Sequence, residues 1–406
     1  MLSRVDPGSV GLDGDRLARI ATHLDRYVDA GRLPGWQVLV ARGGGVAWFE
    51  QGGLRDVEAG LPVEADTVFR IYSMTKPIVS VALLMLHERG RVQLDDPLAR
   101  HLPELGELQV FAEGDPDGFR TVPVERPPTV RDLLTHTAGF TYGFLHEHPV
   151  DALYRRERIA VTHGAGSLAE MVERLGRLPL RFQPGTRWNY SVATDVVGAL
   201  VERLAGEPLD AWLAREILEP LGMEDTAFRV SDAQLPRFAA CYERDGHGLR
   251  VQDTPADSPY RTPPDLLSGG GGLVSTAQDY VRFCQLLLGG GALGGLRLLG
   301  RKTVELLAMN HLPTGGDLTS MGQPVFSETR YDGIGFGLGF SVLLDPARAQ
   351  IAGSPGELAW GGMASTAFWV DPHEDLAVVF MTQLLPSSSY PLRRELRTLV
   401  HAAIVD

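Results

Sequence analysis

The sequence contains very few cysteines. Among its 406 residues there are only two, Cys241 and Cys284. Two isolated cysteines form neither the spaced pairs typical of zinc sites nor the dense framework of a disulfide-stabilised secreted domain. We therefore expect both to be structural thiols, and the cysteines give no reason to expect a metal centre.

The sequence also lacks long apolar runs and blocks of basic residues. No apolar stretch approaches the ~18 residues that a membrane-spanning helix needs. The first seven residues, Met1 to Pro7, lack the apolar core of a signal peptide. Asp and Glu (51) outnumber Lys and Arg (38), and the net charge of −13 gives no electrostatic basis for binding nucleic acid or an anionic membrane. We expect a cytoplasmic protein whose partner is a small molecule.

Lysine is almost absent from the basic residues. Only Lys76 and Lys302 occur, and all the other basic side chains of the Lys and Arg group are arginine. Both residue types serve as solvated surface charges, but only lysine gives up its proton readily enough to act as a base. Lys302 lies in an ordinary amphipathic pattern and is expected at the surface. Lys76 is the lysine whose context suggests chemistry.

The remaining composition favours a folded chain with a substantial core. Hydrophobic residues make up 44% of the sequence, and 47 glycines with 27 prolines stay below the level of low-complexity disorder. The length suggests two or three domains or one large composite. No internal repeat is apparent.

Hydrophobic periodicity predicts strands near both ends of the chain and helices between them. The predicted strands are 36–41, 46–49, 67–71, 335–344, 367–370 and 376–382. The main predicted helices outside the middle segment are 13–30, 74–88, 275–288 (opened by a Ser275/Gln278 capping box) and 391–404. This order predicts one sheet domain from residues 1–96 and 266–406, with residues 97–265 as an inserted, mainly helical domain. The polar stretch 113–128 is expected to be a loop.

Ser73 and Lys76 form the most informative pair. They lie at the junction between strand 67–71 and the apolar helix 74–88. If the helix starts near Ser73, a separation of three residues puts both side chains on one helix face. A serine hydroxyl is a poor nucleophile until a base takes its proton, and a desolvated lysine can be that base. N–H groups at the start of the helix would stabilise an oxyanion. The alternative interpretation is a serine cap beside a surface lysine.

Three other segments could contribute to the same chemistry. Tyr190 ends an extended segment and could exchange protons with a serine and a leaving group, although an aromatic residue packed under a loop is the simpler interpretation. Gly361 and Gly362 would let a substrate approach bare backbone, whose N–H could complete an oxyanion hole; a β-turn is the alternative. His136 has no partner serine in a Gly-x-Ser-x-Gly elbow and is expected to be structural.

Three motifs together resemble those of a known family. Ser73-Met74-Thr75-Lys76, Tyr190-Ser191-Val192 and Trp360-Gly361-Gly362 are similar in order and separation to the motifs of serine β-lactamase-like proteins, specifically the class C β-lactamase-related esterases, or family VIII carboxylesterases. Segments 133–139, 270–276 and 335–340 support the resemblance, which covers nearly the whole chain. It implies an α/β (α+β) β-lactamase-like fold: a central antiparallel sheet flanked by helices, plus an inserted helical lobe, with the site in the cleft between them.

The resemblance and the side-chain chemistry together predict a set of roles. Ser73 is the nucleophile, Lys76 its base and Tyr190 the proton shuttle. The backbone N–H groups of Ser73 and Met363 form the oxyanion hole. The predicted substrate-binding residues are Trp360, Gly361, Gly362 and Val192. No metal or organic cofactor is implied.

Two departures from the family pattern bear on the substrate. β-Lactamases of class C and penicillin-binding proteins carry asparagine and lysine where this chain has Val192 and Trp360. That lysine pairs with the carboxylate of a β-lactam, so its replacement favours short-chain, uncharged carboxylic esters. The alternatives are an acyltransferase, residual β-lactamase or D-amino-acid peptidase activity, and a catalytically idle β-lactamase-like binding protein. The intact set of Ser73, Lys76 and Tyr190 disfavours the last of these.

Overall fold

The structure is a computed structural model that describes residues 2–246, 248–322 and 331–406. The strands of this described part of the chain are β1 Gly35–Arg42, β2 Gly45–Asp56, β3 Leu61–Pro62, β4 Phe69–Arg70, β5 Gln109–Asp115, β6 Gly118–Pro123, β7 Cys241–Asp245, β8 Gly248–Asp253, β9 Val274–Ser275, β10 Ala292–Leu293, β11 Leu296–Arg297, β12 Ile334–Phe336, β13 Ser341–Leu343, β14 Leu358–Gly361, β15 Ala367–Asp371, β16 Leu376–Met381 and β17 Leu384–Leu385.

Helices alternate with these strands. Within the same ranges the α-helices are α1 Gly14–Asp29, α2 Thr75–Glu88, α3 Val130–Leu134, α4 Pro149–Arg156, α5 Leu168–Leu175, α6 Ala193–Ala205, α7 Leu209–Leu213, α8 Glu219–Leu221, α9 Ala277–Leu288, α10 Arg301–Leu307, α11 Leu318–Met321, α12 Pro346–Ala349 and α13 Leu392–His401. A short 3₁₀ turn, Tyr72–Met74, leads directly into α2. No helix in the described ranges combines the length and the apolar character needed to cross a membrane.

The main sheet is built from both ends of the chain, as the sequence predicts. Its eight strands follow the order β12-β13-β14-β15-β16-β1-β2-β3, and every neighbouring pair is antiparallel. The N-terminal β1 pairs with the C-terminal β16, for example Val38 with Phe380. β1 and β2 are joined by a two-residue turn, Gly43 and Gly44, whose φ values of 61° and 77° suit a tight hairpin turn of glycines. The predicted central antiparallel sheet is therefore confirmed.

The two faces of the sheet belong to different hydrophobic clusters. On β1, Val38 and Val40 pack with α1 and α13, whereas Leu39 and Ala41 point into the larger core that contains α2 and α9. β16 alternates in the same way, since successive side chains of a strand point to opposite faces. The sheet thus has an outer layer, α1 and α13, and an inner layer that includes α2.

The middle segment is less purely helical than expected. Residues 97–265 contain α3 to α8, but also two antiparallel hairpins, β5 with β6 and β7 with β8. The first hairpin occupies most of the polar stretch 113–128, so the loop expected there was wrong. β17, from the C-terminal part, pairs in parallel with β7. The boundaries of the inserted domain stay a prediction.

Several local expectations need correction. The expected strand 335–344 is a hairpin, β12 and β13, separated by a glycine-containing turn. The expected strand 67–71 shortens to β4, which pairs with β9 outside the main sheet. Helix α9 is capped by Thr276, whose side chain accepts from Asp279 N, rather than by Ser275. Trp360 and Gly361 belong to β14 rather than to a turn.

Candidate active site

Ser73 is presented by the 3₁₀ turn that precedes α2. Tyr72, just before it, adopts φ 43°, an uncommon conformation for a residue with a side chain. Such backbone conformations persist where the surrounding structure enforces them, and they cluster at functional sites. Lys76 follows on the first turn of α2 and is only 1% exposed. Its Nζ lies 3.3 Å from Ser73 Oγ, so the spacing of three residues brings the two groups together as the sequence predicts.

The amine of Lys76 is held by three oxygens. Besides Ser73 Oγ, it donates to Tyr142 OH at 3.0 Å and to the backbone carbonyl of Gly270 at 2.5 Å. It also lies 4.5 Å from the centre of the Tyr190 ring. Lys302, in contrast, is 79% exposed and paired with Glu305, as expected of a surface lysine.

Tyr190 completes the contacts of the serine. Its hydroxyl donates to Ser73 Oγ at 2.6 Å, and the residue is 6% exposed. Since Tyr190 and Ser73 are separated by 117 residues, this contact depends on the packing of the middle segment against α2. Ser73, Lys76 and Tyr190 therefore form one hydrogen-bonded group.

Two groups beside Lys76, Asp195 and Tyr142, were not predicted from the sequence. Asp195 is fully buried, and its Oδ1 accepts from Ser268 Oγ at 2.6 Å and from Gly270 N at 3.0 Å. Burial raises the pKa of this carboxyl, while the positive charge of Lys76 opposes the rise. Burial also raises the pKa of Tyr142 well above its usual value. A lone acidic residue within the apolar run 192–201 was an available sequence signal for Asp195. No such signal marked Tyr142.

His136 lies next to the group without joining it. It is 2% exposed, its ring centre is 5.0 Å from that of Tyr190, and its Nδ1 is 3.2 Å from Ser191 Oγ. Burial, with the nearby charge of Lys76, lowers the pKa of His136 well below its usual value. A neutral histidine that packs against Tyr190 agrees with the structural role expected for it.

The third motif forms one wall of the site. Trp360 packs against Tyr190, with ring centres 5.6 Å apart, and edge-on against Phe336 at 5.3 Å. A Cβ atom on Gly362 would lie 2.3 Å from Thr366 Oγ1 and 2.5 Å from the carbonyl of Ile71, so only glycine fits between β14 and the turn carrying Ser73. Met363 follows and is 42% exposed.

These side chains line a cavity of about 840 Å³. Of the predicted site residues, its wall includes Ser73, Tyr190, Trp360, Gly361, Gly362 and Met363. Lys76 lies directly behind Ser73. Val192 does not contribute: it is 0% exposed in the hydrophobic core at the start of α6, and among the described residues it is not part of the cavity wall. Val192 therefore has no exposed surface with which to contact a substrate, because its side chain is packed in the core where α6 begins.

Groups capable of holding a metal occur elsewhere. Glu357, Asp371 and His401 bring ligand-type atoms within 4.8 Å of one another in the described part of the chain. One Glu357 oxygen is already ion-paired with Arg397, and Asp371 accepts from the backbone N–H groups of Ser354 and His373. None of these three candidate ligands belongs to the hydrogen-bonded group around Ser73.

The geometry fits nucleophilic acyl chemistry. A serine hydroxyl in contact with a buried amine and a tyrosine hydroxyl has both a proton acceptor and a proton relay within reach. The backbone N–H of Ser73, in the 3₁₀ turn before α2, could stabilise the negative charge that develops on a carbonyl oxygen.

Esterases and acyltransferases are among the known proteins that this chain resembles. Esterase EstB of Burkholderia gladioli is 35% identical over 98% of each chain. A monacolin J acid methylbutanoyltransferase of Aspergillus terreus is 30% identical over 84% of this chain and 83% of its own. Among solved structures, EstCE1, described as a hydrolase with promiscuous acyltransferase activity, superposes with a TM-score of 0.80 at 28% identity, covering 95% of this chain and 99% of its own.

The family assignment rests on the length of these matches. The family profile described as beta-lactamase matches residues 20–402, nearly the whole chain. The resemblance of the three motifs agrees with that match, and so does the antiparallel sheet with its helical layers. The chain therefore belongs to the beta-lactamase family.

Proposed function

We propose that this protein is a serine carboxylesterase that cleaves short-chain, uncharged esters through an acyl-enzyme on Ser73. The observation that carries the proposal is the position of Ser73 Oγ, 2.6 Å from the hydroxyl of Tyr190 and 3.3 Å from the amine of Lys76. The names of the esterase and acyltransferase relatives support an enzyme of ester hydrolysis or acyl transfer. We also propose a cytoplasmic location, which the two free, buried cysteines Cys241 and Cys284 fit.

Acylation begins at the hydroxyl of Ser73. An unprotonated Lys76 would donate its two N–H groups to Gly270 O and Tyr142 OH and accept the serine proton on its lone pair. The freed Oγ attacks the ester carbonyl carbon, and the carbonyl oxygen becomes an oxyanion bound by the N–H groups of Ser73 and Met363. As the C–O bond breaks, a proton passes from Lys76 through Tyr190 to the leaving alcohol.

Deacylation runs through the same groups in reverse. Water attacks the acyl carbon and gives its proton to the Lys76 and Tyr190 pair. The tetrahedral intermediate then collapses, and Ser73 Oγ leaves with that proton. The carboxylic acid is released, and the free serine is restored.

Acyl transfer to an alcohol is the second candidate. It differs only in the acceptor of the acyl group, and the Aspergillus terreus relative is named as a transferase. A cavity of about 840 Å³ has room for an acyl group together with an alcohol. The ratio of free acid to new ester, measured in the presence of added butanol, distinguishes the two reactions.

We expect uncharged esters to be better substrates than β-lactams. Trp360 places an indole where a β-lactam carboxylate would need a cation. Losing such a charge-assisted hydrogen bond costs roughly 1.5–3 kcal/mol, or about ten- to 150-fold in transition-state binding. The measurement is kcat/KM for p-nitrophenyl butyrate against nitrocefin, each normalised to its uncatalysed hydrolysis.

A pair of variants at one position sharpens this comparison. Trp360→Lys should lower the normalised ratio of ester to cephalosporin, whereas Trp360→Phe should preserve it, because only the first restores a cation. A wild-type ratio that favours the cephalosporin would contradict the esterase proposal.

A further inference from the structure

Arg393, on the first turn of α13, reaches the loop that follows β14. Its Nη2 donates to the carbonyl of Gly362 at 2.7 Å and to that of Thr366 at 3.0 Å. Gly362 N also donates to Thr366 O, at 2.9 Å. One guanidinium nitrogen therefore hydrogen-bonds both Gly362 and Thr366, the two ends of the loop that contains Met363.

The approach of this guanidinium requires a glycine. A Cβ atom on Gly361 would lie 2.7 Å from both Cζ and Nη2 of Arg393, closer than such atoms come in real structures. Gly361 is thus needed to admit the arginine, in addition to any substrate that approaches from the cavity. The two glycines of the third motif are therefore required for different reasons. Gly361 leaves room for Arg393, and Gly362 leaves room for the turn that carries Ser73.

Arg393 and the turn that carries Ser73 approach the end of β14 from different faces, because a Cβ atom on Gly361 would meet Arg393 whereas one on the next residue, Gly362, would meet the carbonyl of Ile71. Arg393 also contributes to the wall of the cavity. Leu392 and Leu396 of α13 pack in the outer hydrophobic cluster, whereas Ile71 and Met74, which flank the serine, belong to the inner one. The only cis peptide in the described residues is at Pro386, so the peptide between Gly362 and Met363 is trans. In a trans peptide the C=O and the following N–H point in opposite directions.

We propose that Arg393 is a positioning residue for the oxyanion hole: by holding the Gly362 carbonyl towards α13, it turns the Met363 N–H towards Ser73. This inference rests on the proposed function and adds a residue to it. The Gly362 carbonyl also accepts from Ser365 N at 3.2 Å. The contact from Arg393 is shorter and comes from a charged donor, and charge-assisted hydrogen bonds are about twice as strong as neutral ones.

The test compares Arg393→Met with wild type on p-nitrophenyl butyrate. An oxyanion donor acts in the transition state, so kcat should fall and KM should change little. Removal of one such donor costs about 10²–10³-fold. Because the turn bond from Ser365 remains, we expect a loss of roughly 10- to 100-fold in kcat. Arg393→Lys, which keeps a charged donor, should recover part of the loss.

A second readout separates this inference from the choice of substrate. The rate of inactivation by a p-nitrophenyl phosphonate also depends on the oxyanion hole, and it should fall in Arg393→Met by a factor similar to that for kcat. This rate is measurable even if the wild-type protein prefers another acyl donor. Thermal unfolding of each variant establishes that it is folded.

The matched control is Arg16→Gln. Arg16 also donates to a backbone carbonyl, Ala402 O at 2.8 Å, but neither residue belongs to the cavity wall of the described chain. It should leave both rates within about twofold of wild type. The inference is overturned if folded Arg393→Met keeps both rates at their wild-type values. It is also overturned if the variant keeps kcat and only its KM for anionic esters rises, because Arg393 would then be a substrate-binding residue.

Discussion

Lys76→Arg should lose ester turnover almost as completely as Lys76→Ala. The lysine amine lies among Ser73 Oγ, Tyr142 OH and Gly270 O, where it can take the serine proton. Arginine keeps the positive charge but does not give up a proton. Since general-base catalysis contributes about 10²–10⁴-fold, kcat/KM should fall by that order in both variants.

The control for this result is Lys302→Arg. It makes the same chemical change at the other lysine of the chain, which is 79% exposed and paired with Glu305. Activity should be unchanged there, and circular dichroism with thermal unfolding should show that the Lys76 variants are folded. Turnover near wild type in Lys76→Arg would show that the lysine acts only through its charge.

Tyr190→Phe should lower kcat by a similar factor. The phenylalanine ring keeps the packing against Trp360 and His136 but removes the hydroxyl that donates to Ser73 Oγ at 2.6 Å. Without it, the leaving alcohol has no positioned proton donor, so we expect a loss of roughly 10²–10⁴-fold in kcat. The effect should be smaller on esters with p-nitrophenol as the leaving group, which needs little protonation, than on simple alkyl esters.

Tyr154→Phe provides the matched control. Tyr154 is 1% exposed, and its hydroxyl is hydrogen-bonded to the backbone of Thr141 rather than to the serine. Removing that hydroxyl should change stability without changing the dependence on the leaving group. If Tyr190→Phe showed equal losses on nitrophenyl and alkyl esters, proton delivery by Tyr190 would be contradicted.

The central sheet was predictable because its signal is local. The strands near both termini are short apolar runs bounded by turn residues, and two glycines mark the hairpin between β1 and β2. The hairpin of β5 and β6 was missed because most of its side chains are exposed and show no buried alternation. Its turn, Asp115-Pro116-Asp117-Gly118, nevertheless carries residues typical of turns, and Asp115 Oδ1 accepts from the N–H groups of residues 117 and 118.

The contacts of the candidate site also divide into local ones, which the sequence predicts, and long-range ones, which it does not. Ser73 and Lys76 are three residues apart in a 3₁₀ turn that continues directly into α2, so their spacing predicts their contact. Tyr142 and Gly270 reach the same amine from 66 and 194 residues away in sequence, and no local pattern indicates that. Val192 shows the opposite error: it stands next to a site residue in sequence, but the direction of α6 buries it in the core. Contacts that depend on the packing of distant segments are the part that the sequence alone did not provide.

The most direct test of the acyl-enzyme is to identify the serine that is modified. The protein is treated with an excess of a slow ester or a phosphonate, and its intact mass is measured before peptide mapping. The proposed mechanism predicts one adduct per chain, located on the peptide that contains Ser73, and none in Ser73→Ala. An adduct confined to another serine, or an unchanged yield in Ser73→Ala, would contradict it.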